Sequence, residues 1–241
     1  MDENLQRDNN ISLPVQKKSM KVYVITRNMY HRLQNLLINC FFYALKILGI
    51  VLFILFFRIR VKNTDRIPRT GPLIIAANHF SYIDPVALQI VFPRHISFMM
   101  TERFYKGHGK WFFKLFRAIC IRGKGMNIAA LKEGIHVLKE NGVLGIFPEG
   151  GVSKEGRFQK GIPGIGYLAM KSNVPVLPVF LAGTYRVLPK GKIVPRPSRI
   201  TIIYGNPMIF DTTKSTANKE KIVEITEEIM EEIKKLSDPE K

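Results

Sequence analysis

Short apolar runs alternate along this chain with segments of helical period, and that alternation restricts the fold more than any other feature. The runs 73–77, 96–100, 143–147, 174–181 and 200–204 are too short for buried helices and are rich in the residues that pack on a pleated surface. Between them, Asn127 precedes a stretch in which Ile128, Leu131, Ile135 and Leu138 recur at helical spacing, and Asn141-Gly142 then stops it. Helices are also expected over 86–91, 110–116, 165–171 and 219–236. The sequence predicts an α/β fold, a single domain with a largely parallel sheet flanked by helices.

The amino-terminal quarter differs. Residues 1–20 are polar and unpatterned and read as a disordered tail. Residues 21–60 read as a membrane-associated helical segment, because Leu36–Phe57 is almost wholly apolar and ends at Arg58-Ile59-Arg60. A spanning helix needs about 20 apolar residues, and this stretch reaches that length only with Asn39 and Lys46 inside it. A tilted single span and two helices dipping into one leaflet, with Lys46 reaching back to the interface, both fit, and a buried helix of a soluble domain is the remaining alternative. Basic residues stand on both flanks, at Arg27, Arg32, Arg58, Arg60 and Lys62, so charge assigns no orientation. Residues 61–241 are left for the α/β domain.

Thirty-seven Lys and Arg against nineteen Asp and Glu give a formal charge of +18. Such a balance suits a polyanionic partner, and the apolar segment favours an anionic membrane over nucleic acid. The two cysteines, Cys40 and Cys120, suggest neither a disulfide nor a metal site.

Where the run 73–77 ends, the chain reads Asn78-His79-Phe80-Ser81-Tyr82-Ile83-Asp84-Pro85. A histidine at a strand end, five residues before a carboxylate in or beside the first turn of a helix, is a base with its orienting group. The carboxylate accepts from one ring nitrogen and leaves the other free to take a proton, with a hydroxyl as the natural source. Two helix-start signals compete here, Ser81-x-x-Asp84 as a capping box and Pro85 as a first helical residue. After the run 143–147, the loop 148–163 carries Glu149, Gly150, Gly151 and Ser153, then Lys154, Arg157 and Lys160. Glycines let backbone amides approach an anion, and the cations add charge-assisted bonds to phosphate. Both polar loops belong at the carboxyl ends of strands, where open α/β sheets bind their ligands.

These residues resemble the glycerolipid acyltransferases, the family that includes 1-acylglycerol-3-phosphate acyltransferase. His79-x4-Asp84 is similar to that family's first motif, Phe147-Pro148-Glu149-Gly150 to its third and Val174–Val179 to its fourth, while Ile121-Arg122-Gly123-Lys124-Gly125 stands where the second belongs. The resemblance spans roughly residues 60 to 210. It implies direct acyl transfer from acyl-CoA or acyl-carrier protein to the free hydroxyl of a lysolipid, above all 1-acyl-sn-glycerol 3-phosphate, giving phosphatidic acid at the cytoplasmic face of a membrane. It casts His79 and Asp84 as catalytic and Glu149 and Gly150 as substrate-binding; Arg122, Arg157 and Lys160 are the basic residues expected to bind the acceptor's phosphate. It requires no metal and no cofactor beyond the acyl donor, and no nucleic acid. The absence of a Gly-x-Ser-x-Gly elbow agrees with a route that has no acyl-enzyme.

Two positions depart from the family pattern. A lysine often stands where Met100 precedes Thr101-Glu102, and an arginine where Val152 follows Gly150-Gly151. Those substitutions keep open an acyltransferase or transacylase for another lysolipid, and the +18 charge alone keeps open a non-catalytic basic membrane-binding protein. Gly164-x-Gly166-x-x-Ala169 matches a dinucleotide fingerprint only superficially, since it follows a polar loop and Pro163 instead of a strand.

Overall fold

Leu73–Ala77 is buried at every residue because it becomes β2, a central strand covered on both faces. In a computed structural model, residues 33, 37, 40–41, 43–53, 55–101, 118–121, 127–210 and 219–238 are described. The chain divides into two units, Met1–Leu48 and Gly49–Lys241. Within the first, the described residues are helical and Leu37, Phe41, Tyr43, Ile47 and Leu48 are exposed. Among the described residues, no helix is long and apolar enough to cross a membrane.

In the second unit, the strands are β1 (Arg60–Lys62), β2 (Leu73–Ala77), β3 (Ile96–Thr101), β4 (Ile119–Ile121), β5 (Val143–Ile146), β6 (Val176–Ala182) and β7 (Thr201–Tyr204). The helices are α1 (Asp84–Val91), α2 (Ile128–Lys139), α3 (Gly164–Ser172), α4 (Thr184–Val187) and α5 (Lys219–Lys235), preceded by helical residues among 49–57. Among the described residues, one seven-stranded sheet runs β1-β7-β6-β2-β5-β3-β4. Every neighbouring pair is parallel except β6 and β7.

Side-chain parity sorts the core into two faces. Leu73, Ile75 and Ala77 join Leu177, Val179 and Leu181 under α1, together with Phe53 and Phe57 of the incoming helix. Ile74, Ala76, Leu144 and Ile146 face α2, α3 and α5. The helical segment 49–57 comes close to α1 because Gly49 has no side chain; a Cβ there would lie 2.9 Å from Ile90. Gly166 lets α3 rest against the backbone of α5 in the same way, so this glycine serves helix packing and not a dinucleotide.

Among the described residues the predicted strands and helices are present with ends shifted by a residue or two, and the mostly parallel sheet is as expected. Asn127 caps α2 through its side chain, which accepts from the Ala130 amide at 2.9 Å. Helix α1 starts with Ile83 as its cap residue and Pro85 in its first turn, as the proline signal indicated. Ser81 does not cap the helix: its hydroxyl accepts from the Ile83 amide at 3.2 Å and donates to the Leu188 carbonyl at 2.6 Å. The helix expected over 110–116, the tail at 1–20 and Arg122 lie outside the described residues.

Candidate active site

Asn78 carries the sheet one rung past the end of β2. Its side-chain carbonyl accepts from the Leu181 amide at 2.7 Å and its amide donates to the Leu181 carbonyl at 3.1 Å. A side chain thus continues the ladder to β6, and the main chain at His79 is free to turn away from the sheet.

His79 is then held from four sides. Its Nδ1 lies 3.0 Å from Asp84 Oδ2, and that same oxygen accepts from the Ser81 amide at 2.7 Å. Its backbone N–H donates to Glu149 Oε1 at 3.0 Å, and its carbonyl accepts from the Ser153 amide at 2.8 Å. Its ring stacks on Phe147, with centroids 4.0 Å apart and planes inclined by 17°. Phe147 stacks in turn on Phe98, and Phe98 fits beside the sheet because Gly145 is opposite it; a Cβ at Gly145 would lie within 2.6 Å of both Phe98 and Ile96.

With Asp84 wholly buried and the His79 side chain 14% exposed, the pair points one nitrogen inward and one outward. An ionised Asp84 selects the tautomer with the proton on Nδ1, so Nε2 presents a lone pair. Nε2 has no hydrogen-bond partner among the described residues. Such a ring accepts a proton from a hydroxyl brought within about 3 Å of it.

Glu149 is buried and fully engaged. Besides the His79 amide, it accepts from the Gln159 amide at 3.3 Å and from Gln159 Nε2 at 3.1 Å, while Gln159 Nε2 also reaches the Gly151 carbonyl at 3.0 Å. Burial pushes its carboxyl above the usual carboxylate range, and the bonds from His79 and Gln159 partly offset this. Gly150, at φ +70°, makes the turn that follows, and its amide donates to the Phe147 carbonyl at 3.0 Å. Phe80, Phe158 and Phe180 form an aromatic triangle with centroids 5.2 to 6.3 Å apart, fastening the His79 loop to the Glu149 loop and to β6.

The structure therefore brings His79, Asp84, Glu149 and Gly150 together, on the two loops that leave the parallel neighbours β2 and β5. Arg157 and Lys160 do not join them by any hydrogen bond. The Arg157 guanidinium is exposed and 3.8 Å from Glu155, and Lys160 borders a groove against Val223 and Glu227 of α5. Sequence reasoning did not single out Gln159 or Lys190, and it named Phe147 only as part of the third motif. The Lys190 ammonium donates to the Val152 carbonyl at 3.0 Å, which puts a cation beside the position where an arginine was expected. A cavity of about 880 Å³ lined by His95, Cys120, Glu133 and His136 lies at the amino ends of β3 to β5, the far end of the sheet from His79. Among the described residues, no group of three or more His, Cys, Asp or Glu is arranged to hold a metal ion.

Known proteins match both the sequence and the fold. The chain is 24% identical over 185 residues to a 1-acyl-sn-glycerol-3-phosphate acyltransferase of Bacillus subtilis, covering 74% of this chain and 87% of that protein. A Limnanthes douglasii protein of the same description is 36% identical over 85 residues, 35% of this chain and 30% of that one. Among solved structures, the 1-acyl-sn-glycerophosphate (LPA) acyltransferase PlsC from Thermotoga maritima superposes with a TM-score of 0.61 at 26% identity, covering 74% of this chain and 72% of that chain. The acyltransferase family model matches residues 58–182, just over half of the 241 residues, and includes His79, Asp84 and Glu149. This chain belongs to the acyltransferase family and is an enzyme of acyl transfer.

Proposed function

We propose that the chain acylates the free hydroxyl of 1-acyl-sn-glycerol 3-phosphate to give phosphatidic acid in phospholipid biosynthesis, with acyl-CoA or acyl-carrier protein as donor. The observation that carries this reading is the His79–Asp84 pair at 3.0 Å, its carboxylate buried and its outer nitrogen free.

In this scheme His79 Nε2 removes the acceptor's hydroxyl proton as the oxygen attacks the thioester carbonyl. The tetrahedral oxyanion collapses, the C–S bond breaks, and the leaving thiolate takes the proton back from the imidazolium. Asp84 keeps the ring in the productive tautomer and stabilises the transient positive charge. Glu149 and Gly150 shape the acceptor side of the site, and Arg157, Lys160 and Arg122 supply charge for the acceptor's phosphate. Lys190 beside Val152 supports a phosphate-bearing acceptor despite the missing arginine. Neither a metal nor a further cofactor enters any step.

The whole chain then acts at an anionic membrane, on its cytoplasmic face, with residues 1–20 as a tail, 21–60 as the membrane-associated segment and 61–241 as the catalytic domain. Thioester consumption by detergent-purified protein tests the mechanism, with lysophosphatidate, glycerol 3-phosphate and lysolipids of larger head group as acceptors. His79→Ala is expected to lower kcat by about 10²-fold or more, and Asp84→Asn by a comparable factor through the wrong tautomer. Full turnover by His79→Ala would overturn the mechanism. Turnover only with a larger head group would mean that Met100 and Val152 mark a different acceptor, and turnover with phospholipid as sole donor would make the enzyme a transacylase.

A further inference from the structure

The connection from β6 to β7 contains α4 and then the loop 188–199, Leu-Pro-Lys-Gly-Lys-Ile-Val-Pro-Arg-Pro-Ser-Arg. Its tip is apolar and open. Ile193 is 91% exposed and Val194 71%. Two adjacent branched aliphatics so far out of any core differ from the scattered single apolar residues that every surface carries.

The tip is also built to hold a shape. The Lys192 amide donates to the Pro189 carbonyl at 3.1 Å, Gly191 sits at φ +88°, and the Arg196 amide closes the base by donating to the Val187 carbonyl at 2.8 Å. Pro189, Pro195 and Pro197 further restrict the backbone, which lowers the entropy lost when such a tip docks.

Along the chain, charge on both sides of the tip has one sign. From residue 156 to residue 210 the chain carries Arg157, Lys160, Lys171, Arg186, Lys190, Lys192, Arg196 and Arg199 and no Asp or Glu. Lys192, Arg196 and Arg199 are exposed in the loop itself.

The loop stands at the catalytic end of the sheet. β2 and β6 run parallel, so the chain leaves β6 at the end where His79 leaves β2. Ser81 Oγ, two residues from His79, donates to the Leu188 carbonyl at 2.6 Å. β7 runs antiparallel to β6 and parallel to β1, so β1 also starts at this end, and the Ile200 amide donates to the Phe57 carbonyl at 3.1 Å. The helical residues Val51, Leu52, Leu55 and Phe56, each 44% to 71% exposed, therefore lead into the same end of the sheet.

We propose that the loop 188–199 is a second membrane-docking element: Ile193 and Val194 enter the acyl boundary of an anionic bilayer while Lys192, Arg196 and Arg199 meet its head groups. Apolar residues ringed by cations are what an anionic lipid surface selects. The phosphates of an acyl donor would use the cations but not the aliphatic tip. The proposal deepens the lipid-acceptor reading given above, naming a surface that brings His79 to the membrane.

Full-length protein with Cys40→Ser, Cys120→Ser and Ile193→Cys, labelled with an environment-sensitive nitrobenzoxadiazole dye, tests it on phosphatidylglycerol vesicles. The dye at residue 193 is expected to shift to the blue and to be quenched by nitroxide lipids. A dye placed through Glu228→Cys, on an exposed position of α5, stays unchanged. An aqueous spectrum at residue 193 in vesicle-bound protein would overturn the proposal, even if the amino-terminal segment alone retains the protein on the vesicles. In parallel, Ile193→Ser with Val194→Ser is expected to lower turnover about tenfold with acceptor embedded in vesicles and to leave it unchanged in detergent. An equal loss in both media with a raised KM for acyl-CoA would assign the loop to the donor and overturn the proposal. A blue shift in a protein that turns over no lysolipid in either medium would uphold the docking loop and refute the acceptor assignment instead.

Discussion

At Asp84, one oxygen takes two hydrogen bonds and the other, Oδ1, is buried without a partner among the described residues. A buried, half-satisfied carboxylate costs stability, on the order of 1–3 kcal/mol for a missing bond, and a residue that keeps it does so for what the carboxylate orients. Glu149 is a different case, because its bonds hold backbone. Its folded-state acidity is weakened by burial, so the native protein binds a proton that the unfolded chain has already released between the two pKa values. The stability that Glu149 contributes is full below the ordinary glutamate value of the unfolded chain and falls as pH rises through the raised folded value. Urea unfolding at a series of weakly acid to neutral pH values should show this loss in the native sequence and a flatter profile in Glu149→Gln. An unchanged slope would mean that Glu149 does not titrate in that window. The His79–Asp84 spacing was legible in the sequence because a strand end and a helix start fix where each side chain points. The Glu149 bonds to His79 and Gln159 were not, since a carboxylate on a glycine-rich loop gives no sign of whether it will meet a ligand or its own backbone.

Among the elements, the best predicted were those whose burial dictates their composition. β2, β5 and β6 are apolar throughout because helices cover both faces, and α2 declares itself by its cap and its period. β1 is Arg-Val-Lys, exposed at all three positions at the sheet's edge, and α4 is a single turn, so neither has a pattern to read. The reversal at β7 was equally hidden, because strand direction depends on the loop that precedes it. That loop starts at Gly183, which caps α4 at φ +84° with its α-carbon against the Arg199 carbonyl. No L side chain fits there. Gly183→Ala is expected to lower stability by about 2 kcal/mol or more, read from urea unfolding, and the vesicle-borne activity should suffer with it because the 188–199 loop hangs on that corner.

For the whole molecule, the unit Gly49–Lys241 cuts through the apolar segment, so part of what reads as membrane material belongs to the core of the α/β unit. Phe53 and Phe57 are 6% and 8% exposed and meet edge-to-face at 4.9 Å. A chain starting at Gly49 should therefore unfold at nearly the same denaturant concentration as the full protein, whereas one starting at Val61 should lose roughly 3 kcal/mol or more with two core aromatics. Equal stability of the two would contradict the assignment of those rings to the core. Composition and hydropathy could mark the segment as apolar but could not divide it, because a core and a bilayer ask for the same residues. The strand order has a further consequence in time. Arg60 pairs with Thr201, and Phe57 and Ile200 share a hydrogen bond. During synthesis, which proceeds from the amino end, the first strand and the aromatics before it leave the ribosome while their partners are still unmade. Until residues 200–204 are made the first strand has no neighbour to pair with, and Phe53 and Phe57 have only the part of their packing that β2 and α1 supply.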